Sequence, residues 1–201
     1  MWLTPDHQDT DFNWPLSLDD KVTLFLARTR GWQLDIAQRC IAGMSDDEGR
    51  VIAAPIPHSA FAVLHILFSY FEMIAKFHQG FVPEYPWDRR SEAYFKEGVL
   101  LVCPSLRKQP VGLMDEVLYL LYQEARCGLY HSGMTAGRIV VAQGMDAAMT
   151  YTSDDGRLWI DPRLLVLEMQ DHLSDYEARL RDPSKTVLRE NFEKRFDFLA
   201  E

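Results

Sequence analysis

Apolar residues recur with helical spacing over most of this chain. From about Leu18 to Met44 the apolar positions include Val22, Leu26, Ile36, Cys40 and Ile41, and Ser17 with Asp20 resembles a capping box at the start. Gly31 is a natural bend point in that stretch, and the polar SDDEGR at 45–50 reads as a loop. A second helix is expected from about Pro57 to Gln79, with the proline suited to a first turn and Gly80 to a C-terminal stop. It is apolar nearly all round. Its polar exceptions His65, Ser69, Glu72 and Lys76 are spaced four, three and four, so they form one stripe. Such a stripe is either a thin solvent-facing line on a central helix or a polar wall facing a cleft. After the proline- and aromatic-rich FVPEYPWDRR (81–90), a short helix is expected at about Ser91 to Val102 and stops near Pro104. The next begins near Pro110 and runs through VGLMDEVLYLLYQEARCGLYHSG, with Met114, Leu118, Leu121 and Ala125 as its buried stripe.

The period then changes. IVVA (139–142), MTYT (149–152) and LWID (158–161) are short β-branched or aromatic runs, and SDDG (153–156) is a hairpin signal. They predict a small antiparallel β-meander near 138–161. Asp161-Pro162 opens a helix closed near Asp182-Pro183. The final KTVLRENFEKRFDFLAE is amphipathic, with Val187, Phe192, Phe196 and Leu199 on or near one face. Residues 1–16 look like an extended arm that Trp2, Phe12 and Trp14 can pin to a core. The expected fold is mainly α: a bundle of about five to six helices in a single domain spanning 1–201, with the meander appended and two C-terminal helices at 162–201.

Composition narrows the function. The chain has 201 residues, 47% apolar and 25% charged, which is globular rather than disordered. A net charge of −9 argues against a generic nucleic-acid coat. Cys40, Cys103 and Cys127 are scattered, with no CxxC, so a reducing cytosol is the default compartment. The first 20 residues carry five Asp and no Lys or Arg, unlike a secretory signal. Val51 to Phe71 lacks charge, but only 14 residues separate Pro57 from Glu72, which reads as a core helix rather than a membrane span. A cytoplasmic protein with no membrane partner is expected.

The chain has no glycine-rich phosphate loop, no HExxH and no GxSxG, and no helically spaced pair of ligands among its six His has a third partner nearby, so neither a metal nor a cofactor is expected. One constellation carries chemistry: Arg126-Cys127-Gly128-Leu129-Tyr130-His131, which closes a long amphipathic helix just before Ser132-Gly133. LYQEARCGLYHSG in this setting resembles the HEPN superfamily, whose signature is Arg, four to six residues, then His near one end of a core helix. The resemblance extends loosely over 18–133 and with specificity over 120–133; the meander and the last two helices lie outside the shared core.

What the resemblance implies is a metal-independent endoribonuclease or RNA-binding protein that works as a homodimer, leaving a 2′,3′-cyclic phosphate when active. Arg126 matches the family's arginine and would hold the scissile phosphate, a role suited to a planar cation. His131 matches its histidine and would shuttle protons between the ribose 2′-OH and the leaving oxygen. Cys127 and Tyr130 would contact substrate. The position after the arginine is commonly Asn, Asp or His in active members, and here it is Cys127.

Geometry adds a constraint. Positions five apart sit about 140° apart around a helix, so either the helix loosens after Gly128 or a second chain completes the site. A purely structural reading stands beside this one: Arg126 binding carbonyls at a helix end, His131 capping it, and the chain acting as a non-catalytic scaffold or ligand sensor. Charge tolerates RNA without demanding it: over 107–144, Arg107, Lys108, Arg126 and Arg138 face Asp115, Glu116 and Glu124.

Overall fold

The expected capping box opens helix α1 (Leu18–Thr29). Ser17 Oγ accepts the Asp20 N–H at 3.2 Å, and Asp20 Oδ2 accepts the Ser17 N–H at 3.0 Å. The computed structural model describes residues 3–85, 90–108 and 110–200. In it α1 continues through a π-helical turn, Arg30–Leu34, into α2 (Asp35–Ala42). This wider turn contains Gly31. A Cβ at Gly31 would lie 2.5 Å from Pro5 Cγ, so the N-terminal arm crosses the helix at its one residue without a side chain. Leu3 and Thr4 are buried in that crossing, and Arg28 Nε donates to the Leu3 carbonyl at 2.8 Å. Phe12 packs on the core as expected, Trp14 is 60% exposed and pins nothing, and Trp2 lies outside the described residues.

The polar 45–50 segment turns a small exposed hairpin of β1 (Met44–Ser45) and β2 (Val51–Ala53). Helix α3 (Ala60–Gln79) starts three residues later than expected and ends on Gly80, whose φ of +61° is the left-handed cap conformation. By length and hydropathy α3 could cross a membrane. Instead Val63, Leu67, Phe71 and Ile74 are fully buried against α2, α4 (Ser91–Val102), α7 (Pro162–Arg181) and α8 (Thr186–Ala200). Part of the expected 81–90 loop lies outside the described residues.

Helix α5 (Val111–Tyr119) runs through a second π-helical segment, Leu120–Arg126, into α6 (Cys127–Ser132), capped by left-handed Gly133. Leu118, Leu121 and Ala125 are buried as the stripe requires, and Met114 is partly so.

The strand runs appear as β3 (Ile139–Val141), β4 (Met149–Thr152) and β5 (Arg157–Ile160). The hairpin is as expected, with β4 antiparallel to β5 and Thr150 opposite Trp159. The meander expectation needs correction in its third strand. β3 pairs parallel to β5, Ile139 opposite Leu158, so the order is β3-β5-β4 and the sheet is mixed. The cause is burial. β5 carries Leu158 and Ile160, both fully buried, and takes the centre. The 142–148 connection is long enough to span the roughly 10 Å between two strands that flank a third. Asp161, itself buried, fastens this connection to α7. Its Oδ2 accepts the Met145 N–H at 3.2 Å, and its Oδ1 caps the helix at the Arg163 N–H, 2.9 Å.

The last two helices complete the core. Leu165, Met169 and Tyr176 of α7 and Phe192 of α8 are fully buried. Leu188 is buried on the inner face of α8, where Val187 and Leu199 were expected; those two are exposed. Deep between α3 and α7, the Tyr70 hydroxyl lies 2.9 Å from His172 Nδ1. Burial, aided by the charges of His78 and Arg179 against the pull of Asp175, pushes the His172 pKa down to about 4. The folded protein therefore holds a neutral imidazole where the unfolded chain protonates near 6.5. This contribution to stability is complete above about pH 6.5 and is lost as pH falls towards 4. Denaturant unfolding at pH 7.5 and 4.5 should show a loss of about 2 kcal/mol for wild type beyond that of His172→Phe. Equal losses in the two proteins would refute the assignment.

Candidate functional site

Arg126 closes the second π-helical segment. Its guanidinium lies between the rings of Tyr122 and Tyr130, 5.6 and 4.5 Å from their centroids. It reaches across to the neighbouring helices, with Nη2 3.5 Å from Glu72 Oε2 and 3.4 Å from Ser91 Oγ. Tyr130, four residues on, shares the face of Arg126 and meets the His65 ring at 5.0 Å. The polar stripe of α3 is therefore a cleft wall, the second of its two readings. The cleft is a cavity of about 240 Å³ between α3, α6 and α8, and its polar lining is Ser69, Glu72, Lys76, Arg126, Tyr130 and Arg195.

Its electrostatics are uneven. Glu72 accepts from Lys76 Nζ at 2.6 Å and from Ser91 Oγ at 2.6 Å. Burial alone would raise its pKa. The hydrogen bonds from Lys76 and Ser91, with the charges of Lys76 and Arg126, outweigh burial and hold it below the ordinary carboxylate value. Arg195 is different. Its Nη1 donates to the Phe81 carbonyl at 3.0 Å, its Nε is buried without a hydrogen-bond partner, and burial lowers its pKa. No carboxylate stands within ion-pair distance of it among the described residues. Among the described residues, three cations thus line the cleft against one carboxylate, in a chain whose net charge is −9.

Of the sequence-derived site residues, Arg126 and Tyr130 meet in this cleft. His131 is exposed at the end of α6, and Cys127 is half-buried; neither lines the cavity. Helix α6 stays regular through Ser132, so it does not loosen after Gly128. Gly128 serves another purpose: a Cβ there would lie 2.7 Å from the Met134 carbonyl oxygen, where the chain folds back. The residue that shares a face with Arg126 is Tyr130, and His131 is one position further round. The described polar contacts of Arg126 are side chains of α3 and α4, not helix-end carbonyls.

The local charge reading also changes. Arg138 is paired with Glu116 and Glu124, and Arg107 with Glu97, so the positive charge counted near the motif is largely spent. The charge that matters comes from Lys76, already visible as part of the stripe, and from Arg195, which carries no local signal. Elsewhere, the Cys103 thiol donates to Glu168 Oε2 at 3.1 Å, and burial pushes its pKa up, so it is not a ready nucleophile. Compared with known proteins, the chain matches no family model, no curated protein and no solved structure.

Proposed function

We propose that this chain is a HEPN-like RNA-binding protein or metal-independent endoribonuclease of the cytoplasm, using Arg126 and His131 in a composite site of a homodimer. The observation that carries this reading is the position of Arg126: on the wall of a cation-lined cleft, between two tyrosine rings, in an otherwise acidic chain. A guanidinium there meets a phosphate with bidentate geometry, and Tyr130 offers a face on which a base can stack. His131, exposed at the helix end, is free to act on an RNA bound across two chains. Because Arg126 and His131 diverge within one chain, the partner's copy supplies the missing member.

In this mechanism the neutral imidazole accepts the 2′-OH proton as that oxygen attacks phosphorus. The imidazolium then gives a proton to the departing 5′-oxygen, and the guanidinium balances charge on the non-bridging oxygens. A second reading, a non-catalytic scaffold or ligand sensor, is favoured by one observation: Glu72 and Ser91 engage Arg126 and give it a structural partner.

Mixing tests the composite site. Arg126→Ala and His131→Ala proteins, each with little or no activity alone, should recover about a quarter of wild-type activity after subunit exchange, since half of the dimers are mixed and each carries one intact site. No recovery, or a strict monomer at micromolar concentration, would remove the shared site.

A further inference from the structure

We infer that the cleft between α3, α6 and α8 is a subsite for one phosphoryl group, held by Lys76 and Arg195 together with Arg126. This deepens the proposed reading and rests on it only through Arg126; Lys76 and Arg195 belong to no part of the Arg-to-His motif.

Three observations converge. Lys76 of α3 and Arg195 of α8 line the same cavity, and their charged groups each lie near the Phe81 ring, Lys76 Nζ 5.8 Å and the Arg195 guanidinium carbon 5.7 Å from its centre. Like charges lining one cleft favour an anion between them. Next, the Arg195 Nε–H is buried without a partner on a guanidinium that has no carboxylate among the described residues. A guanidinium that lines the cleft with no carboxylate beside it is the charge an anion there would balance. Finally, Glu72 is the one carboxylate lining the cleft among the described residues, and Lys76, Ser91 and Arg126 engage it. It acts as a fixed counter-charge that orients two of the cations, so the described residues leave the cleft with an excess of two positive charges.

Size and shape choose the ligand. A cavity of about 240 Å³ is below the usual range for large cofactors and suits a small group. Donors approaching from three separate helices match the divergent oxygens of a tetrahedral anion better than the two in-plane oxygens of a carboxylate. A phosphomonoester carries a charge of about −1.5 to −2 at pH 7, close to the excess in the cleft. The phosphoryl group belongs either to free phosphate or to the end of a nucleotide or RNA.

Calorimetric titration of the full chain at low ionic strength with inorganic phosphate, adenosine 5′-monophosphate and adenosine decides this. Both phosphoryl compounds should bind at one site per chain, and adenosine should not. Tighter binding of the monophosphate identifies a nucleotide end as the source, and equal binding identifies free phosphate. Arg195→Met and Lys76→Met should each weaken binding by about tenfold or more, with Arg195→Lys recovering part of the loss. Arg50→Gln removes an equal charge from the exposed β1–β2 turn and should change affinity less than twofold. Absence of phosphoryl binding to the folded protein overturns the subsite, as does an equal loss in Arg50→Gln. If Arg195→Met does not fold, Lys76→Met decides alone. RNA cleavage separates the two readings. Cleavage that needs His131 but is indifferent to Arg195, without phosphate binding, sinks the subsite and leaves the ribonuclease. Phosphate binding that needs Arg195, without cleavage of any RNA, does the reverse.

Discussion

His131→Ala should abolish RNA cleavage, by at least about a hundredfold if it removes general acid–base catalysis, while stability stays within about 1 kcal/mol, as for an exposed residue away from the core. Cleavage by wild type should persist in EDTA, since no step uses a metal. Arg126→Ala should weaken both cleavage and RNA binding. Its structural cost should be modest, because Glu72 keeps Lys76 and Ser91 as partners. Cys127→Asn restores the polar residue usual in active members of the superfamily and should preserve or raise activity. The assay is cleavage of mixed RNAs by the four proteins, with thermal unfolding run alongside. If wild type and Cys127→Asn are both inert while folded, the enzyme is abandoned and the scaffold reading stands. A stability loss at His131 without any cleavage would point the same way.

Gly98→Ala should be the most damaging single methyl group in the molecule. A Cβ at Gly98 would sit 1.8 Å from the Phe71 carbonyl oxygen and 2.4 Å from its carbon. These are backbone atoms of a fully buried stretch of α3, so no side-chain rotation relieves the overlap. Helices α3 and α4 must move apart, opening the contacts of Phe95 with Phe68 and Phe71. The expected loss is about 3 kcal/mol or more, the upper end for overpacking, which lowers the melting temperature by about 10 °C in a chain of this size. Gly112→Ala is the control. It lies in α5 with nothing within 4 Å of its Cβ, and should be neutral or slightly stabilising. Calorimetric melting of both variants checks the pair, and a Gly98→Ala protein as stable as wild type would contradict the close packing. Separation of α3 from α4 would also pull Glu72 from Ser91 and loosen the anchor of Arg126.

Much of the fold was legible because its signals are local. The Ser17–Asp20 box, the Gly80 stop, the Asp161-Pro162 start and the SDDG turn each act within a few residues, and each is found where the sequence places it. Helical periodicity located the buried stripe of Leu118, Leu121 and Ala125 for the same reason. The π-helical segments at 30–34 and 120–126 were not legible. They differ from α-helix by a one-residue change of hydrogen-bond partner, for which composition offers no signature.

The candidate site divides along the same line. Arg126 and Tyr130 are four apart, so their shared face follows from helix geometry alone, as does the divergence of His131. The stripe of His65, Ser69, Glu72 and Lys76 was equally plain, though not what it would face. That was decided by packing, which sets Arg126 against Glu72 and brings Arg195 from the last helix to the ring that Lys76 covers. The pairing of β3 beside β5 was settled in the same way, by which strand had most apolar surface to bury. The sequence alone determined the helices, the hairpin and the motif. Tertiary structure alone decided the mixed sheet and the cleft, because both depend on contacts between residues far apart in the chain, and these form only when the core closes around α3.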